Sequence, residues 1–201
     1  ANGMDKKDNT AIIFATENDN LEMIRMLINY KADLGVSNKK GDMPLLLVKS
    51  PEAVNLLVDG GARIDKFNKK RNNPLLNAAV KKDIRILEAL LKKGAKTELR
   101  NSRGQTPLLL AVLDHRVEEA KLLLKNRASL FMEEAKKNEL EILPYCGGFF
   151  ISVPTKNKNI FKDLVEDHVF VIPMQDIIRI AISSLNIKDI PELVKKVKKH
   201  I

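Results

Sequence analysis

Tryptophan is missing from this 201-residue sequence, and Cys146 is its single cysteine. One thiol excludes an intrachain disulfide and argues against a cysteine-based zinc site. Aromatic residues amount to only 4%, so a core must be built from Leu, Ile, Val and Ala. No apolar run approaches the roughly 18 residues that a membrane-spanning helix needs. The stretch Ala1–Thr10 lacks the apolar centre of a signal peptide. A cytoplasmic location is therefore expected, with export through a removed leader or delivery into a host left open. Neither a phosphate-cradling G-x-x-x-x-G-K-[ST] nor a G-x-G-x-x-G pattern is present. What is abundant is charge and aliphatic bulk. Charged residues make up 30% and hydrophobic ones 44%, as in a soluble folded protein. Lys and Arg number 35 against 26 acids, a formal charge of +9, which favours acidic partners. The richness in Lys, Asn and Ile points to an AT-rich, bacterial genome.

The chain repeats itself. "GDMPLLLVK" (Gly41–Lys49), "RNNPLLNAAV" (Arg71–Val80) and "RGQTPLLLAV" (Arg103–Val112) share one pattern. Anchored on Thr10, Met43, Asn73 and Thr106, the steps are 33, 30 and 33 residues. Each unit continues with a polar break and a second amphipathic segment, such as "IRILEALL" or "VEEAKLLL". It closes on "KAD", "GAR", "GAK" or "RAS". Pro44, Pro74 and Pro107 suit the first helical position, where no amide hydrogen is needed. Thr10, Asn73 and Thr106 can cap the helix; Met43 cannot. Gly61 and Gly94 stand where a helix ends left-handed, and Lys31 and Arg127 occupy the matching places at a cost of about 1 kcal/mol each if the geometry is kept. Repeat two is shortened at "VKSPEAV", where Ser50 and Pro51 start its second helix.

Over Asp8–Leu130 these units resemble the ankyrin-repeat family and its T-P-L-H-x-A…L-L-x-x-G-A-D pattern. The resemblance implies an all-α solenoid of about six helix–turn–helix units, near 5–38, 39–68, 69–101, 102–134, 135–168 and 169–201, in a single domain over 1–201. The family's histidine is replaced throughout, by Ile13, Leu46, Leu76 and Leu109. First helices held by packing rather than polar networks are expected. The last two units are degenerate. "NIFKDLVEDH" reads as a second helix, "GGFFISVPTKN" as an insertion, and "IPMQDIIRIAISSLNIKDIPELVKKVKKHI" as two helices, the second starting near Asp189 with Pro191 in its first turn. The "GGFFISVP" stretch is expected to fold back over the core, with an apolar partner contact as the rival reading and disorder as the third.

The resemblance further implies protein binding on hairpin tips and first helices. The tips carry Lys39 and Lys40; Phe67, Lys69, Lys70 and Arg71; and Arg100 and Arg103. Arg71 stands where neighbours have Gly41 and Gly104. The first-helix side offers Glu17 and Asn18, Val80 and Lys81, and Leu113 and Asp114. Together they read as a basic ladder with one exposed aromatic, Phe67, for an acidic protein; the bland reading is solvated loop lysines.

No catalytic constellation is visible, so no enzyme, cofactor or metal is expected. His115, His168 and His200 are scattered, and Cys146 has no placed histidine partner. Glu118–Glu119 and Glu133–Glu134 are neighbours that do not face each other on a helix. "PELVKKVKKH" could touch an anionic membrane but fits better as the polar end of the array. Nucleic-acid binding is permitted by charge and not favoured, since no recognition motif is present. A targeting module of a longer enzyme or effector is the third reading. A monomer is expected.

Overall fold

The computed structural model describes residues 3–143, 150–157, 164, 171–174, 177–181 and 189–200. Where one domain over 1–201 is expected, the chain divides into two compact units, Ala1–Glu119 and Ala120–Ile201.

In the first unit, short helices come in pairs. They are α1 (Ala11–Glu17) with α2 (Leu21–Asn29), a single 3-10 turn (Pro44–Leu46) with α3 (Pro51–Asp59), and α4 (Pro74–Lys81) with α5 (Ile84–Lys92). The last are α6 (Pro107–Leu113) and the start of α7 (Val117–Lys137). The shortened repeat is thus the one whose first helix shrinks to a turn. Asn73 and Thr106 cap as their chemistry suggests, accepting from the amides of Leu76 and Leu109. Thr10 does not: its hydroxyl is buried and has no hydrogen-bond partner among the described residues.

Helix ends follow one device. Lys31, Gly61 and Gly94 have φ of 58°, 100° and 84°. After each comes a buried alanine, Ala32, Ala62 or Ala95, whose amide donates back to a carbonyl five residues earlier. That is a Schellman closure, and the alanine fits because the following side chain turns into the core. Asp19, Lys82 and His115 close the first helices in the same way. His115 is therefore an exposed, left-handed joint between α6 and α7.

Arg127 breaks the series. It lies inside α7 and is buried rather than left-handed. Absence of glycine alone does not explain this, because Lys31 does turn. After Lys31 the chain enters a loop in which Asp33 Oδ1 accepts from the amide of Gly35. After Arg127, Ala128, Phe131 and Ala135 continue the helical period and are all fully buried. Burying that face rewards another two turns of helix. The expected unit boundary at 134/135 consequently falls inside α7, which closes at Glu139 with φ 54°.

The apolar replacements of the family's histidine are buried at Ile13, Leu46 and Leu76, so packing holds these helices as expected. Leu109 is 41% exposed.

The second unit contains strands where helices are expected. Strands β1 (Phe150–Pro154), β2 (Val171–Met174) and β3 (Ile177–Ala181) form an antiparallel sheet in the order β1-β3-β2. Phe150 pairs with Ala181, and Val171 with Ile180. Short runs dense in Ile and Val do not declare helix or strand by periodicity, and β-branching favours the strand. Pro154 and Pro173 sit on the two edge strands, where a missing amide hydrogen is tolerated. Ile151 and Val153 point into a core with Phe131, Leu140, Leu164 and Ile180, so the expected folding back of this segment holds from Phe150 onward. The final helix, α8 (Ile190–His200), starts where its proline predicts. The expected helix over 159–168 lies outside the described residues apart from Leu164, which is helical.

Candidate functional site

Four hairpin tips in the first unit are built alike. At each, a short polar side chain at the start gathers the turn. Asn38 Oδ1 accepts from the amides of Lys40 and Asp42, both at 3.0 Å. Asn68 does the same for Lys70 and Asn72, and Asn101 for Arg103 and Gln105. The first member is Asp5, whose carboxylate accepts from Lys7 at 2.7 Å and Asn9 at 2.8 Å. Backbone bonds repeat as well: Asn38 donates to Asp42, Asn68 to Asn72, Asn101 to Gln105, and Asp5 to Asn9. Each turn then needs a left-handed residue at its fourth position. These are Asp8, Gly41, Arg71 and Gly104, with φ of 60°, 81°, 55° and 74°. The Asx oxygen and the left-handed residue together fix the loop shape.

The two residues between those fixed points lie at the exposed apex. They are Lys6 and Lys7, Lys39 and Lys40, Lys69 and Lys70, and Ser102 and Arg103, all exposed. Sequence reasoning placed three of these tips and missed the first. The missing signal was the step itself: 33 residues before Asn38 stands Asp5, with two lysines after it as in the next tip. Anchoring on Pro-Leu-Leu hid it.

Successive tips are tied together. The Lys39 amide donates to the Lys7 carbonyl at 3.0 Å, and Lys69 Nζ to the Lys39 carbonyl at 3.1 Å. Asn68 Nδ2 reaches Asp42 Oδ1 at 2.7 Å, and the Lys96 amide reaches Asp65 Oδ1 at 3.0 Å. Gly41 is packed so tightly that an added Cβ would lie 2.9 Å from the backbone nitrogen of Lys69.

Electrostatics sets the tips apart from several helix ends. Several cations at the helix ends are paired, Lys92 with Glu88 at 3.0 Å, Lys93 with Asp59 at 2.6 Å and Lys82 with Asp114 at 3.7 Å, whereas Arg25 and Lys81 have no ion pair among the described residues. None of the tip cations, Arg71 and Arg100 included, has an ion pair among the described residues. Arg100 donates to the Gly104 carbonyl within its own loop. The Asp5 carboxyl is held below the ordinary aspartate range, first by the amide of Asn9 and then by that of Lys7.

Two expectations need correction. Phe67 is not a free aromatic anchor; it is half-buried, and the Arg71 guanidinium lies 5.3 Å from its ring centroid. Asp114 is exposed but engaged, by Lys82 and by Arg116 at 3.6 Å. Val80, Lys81 and Leu113 are exposed at the far ends of α4 and α6. A helix of this length sets them about 10 Å from the tips, so they form a second row rather than part of the first.

The other candidates carry little chemistry. No group of three or more potential metal ligands occurs among the described residues. Cys146, Gly147, Gly148 and His168 lie outside them. The apolar side of α8 is occupied, with Val194 and Val197 in the core of the second unit, which removes the face a membrane would need. Among the described residues no helix is long and apolar enough to cross a membrane.

Residues 46–134 match a family described as ankyrin repeats in three copies, and residues 7–39 match a further ankyrin repeat. The chain belongs to the ankyrin-repeat family. Ankyrin repeats are generally protein–protein interaction modules, and the matched residues include the apex cations Lys7, Lys39, Lys69, Lys70 and Arg103 but not Lys6 or Lys40. No curated protein matches the chain at a significant level.

Proposed function

We propose that this ankyrin-repeat chain is a non-catalytic, monomeric binding module that takes an acidic protein on its row of basic hairpin tips. One observation carries the reading: exposed cations recur at the apex of four successive tips and have no ion pair among the described residues, whereas Lys82, Lys92 and Lys93 at the helix ends are paired. Charges left unmatched on a rigid frame keep their full field for a partner and steer it on approach. Val80, Lys81, Leu113 and Asp114 would supply the second row of contacts.

The test is charge reversal of Lys39, Lys40, Lys69, Lys70, Arg100 and Arg103 to Glu, followed by affinity capture from cell lysate. Folding by circular dichroism should be unchanged, since these side chains contribute nothing to the core. Partner capture should be lost, and capture by the unaltered chain should weaken steeply with salt. Capture that survives all six reversals would refute the proposal.

A further inference from the structure

Resting on that reading, we infer that the occupant of the tips is an extended acidic polypeptide segment of about nine residues that runs across all four of them. The length follows from the frame. Neighbouring repeats place their helices about 8–10 Å apart, so four tips span roughly 25–30 Å. A chain in the extended polyproline II conformation advances about 3.1 Å per residue and covers that span in about nine residues. Its three residues per turn bring every third side chain to one face, where each meets a new tip.

Rigidity makes such spacing readable. The bonds from Lys39 to Lys7 and from Lys69 to Lys39 fix the first three tips against one another. The contact of Asp65 with the Lys96 amide ties the base of the third hairpin to that of the fourth. A ligand with matching intervals then has to order only the tip side chains and not the loops that carry them.

Other polymers fit less well. An amphipathic helix needs an apolar groove, and the only aromatic at the tips, Phe67, is half-buried beneath Arg71. That same cover removes the one ring on which a nucleic-acid base could stack. The ladder is also graded. Asp5 and Asp8 flank Lys6 and Lys7, so the first tip is weakest, while Lys66, Lys69, Lys70 and Arg71 crowd the third.

Fluorescence anisotropy with the full chain tests this using three labelled probes. One is an acidic peptide with Glu at every third position. The second has the same composition with its Glu residues clustered at one end. The third is an oligothymidine of similar length. The spaced peptide should bind most tightly. Its affinity should fall about tenfold for Lys69→Glu with Lys70→Glu, and about threefold for Lys6→Glu with Lys7→Glu. The corresponding Gln variants should give smaller losses in the same order. Equal binding of the clustered peptide, tighter binding of oligothymidine, or indifference to the Lys6 and Lys7 changes would overturn the inference. If no peptide binds while lysate capture still depends on the six central cations, the extended segment is refuted and the acidic-partner reading stands. If capture is also indifferent to those cations, both fall.

Discussion

At the scale of single residues, equal sequence positions carry unequal constraints. Gly41 and Gly104 occupy the same place in two hairpins, both with positive φ. An added methyl at Gly104 meets nothing within 4 Å, so Gly104→Ala should cost only the left-handed strain, about 1 kcal/mol. At Gly41 it would also press on the Lys69 backbone, and Gly41→Ala should cost roughly 2–3 kcal/mol more. Urea unfolding of the two variants compares them directly; equal losses would show that the tips are not packed together. Arg116 is a different case. Its side chain is 11% exposed, pairs with the buried Glu119 at 2.8 Å and donates to the carbonyl of Ala79 at the end of α4. Removing it strands a buried carboxylate, so Arg116→Ala should destabilise by about 3–5 kcal/mol. Adding Glu119→Ala should restore part of that loss, which a double-mutant cycle measures.

Among elements, the four hairpins differ in the side chain that gathers the turn. Three are gathered by an asparagine and one by Asp5, whose pKa is lowered by the turn it holds. A depressed carboxylate contributes stability above its unfolded pKa and loses it as the pH falls through the folded value. The Asp5 hairpin should therefore open in acid below the ordinary aspartate range while the other three stay closed. Amide exchange of Lys7 and Asn9 would report it, and Asp5→Asn should abolish the pH dependence. Elements were legible wherever a residue type had one local use. Proline at the first helical turn, asparagine at the cap and glycine after the second helix all acted as their chemistry dictates. Legibility failed where a distant partner decides. Arg127 stays helical because Phe131 and Ala135 beyond it are buried, and Ile177–Ala181 is a strand because β1 and β2 flank it. Neither partner is visible from the local pattern. For the candidate site, the cations were readable at three tips, but the cover over Phe67 depends on a side-chain contact.

For the whole molecule, charge is the property that the proposals lean on. The net +9 is not spread evenly in its effect, because Lys92 and Lys93 at the end of α5 are neutralised locally and the tip cations are not. Raising salt from low to physiological levels should weaken partner capture severalfold while leaving the unfolding midpoint of the free protein nearly fixed, since surface pairs contribute little to folding. Salt titration of both quantities on one preparation separates the two; a midpoint that collapses alongside capture would place the cations in folding instead. The construction of the hairpins has one more consequence. The Asx oxygen, the left-handed fourth residue and two main-chain bonds hold each loop, and none of them involves the pair of side chains at the apex. Apart from Lys69, whose Nζ also ties its tip to the Lys39 carbonyl, those apex residues work like interchangeable letters in a fixed typeface: natural drift or an engineer can rewrite them loop by loop, redirecting recognition without asking the scaffold to refold.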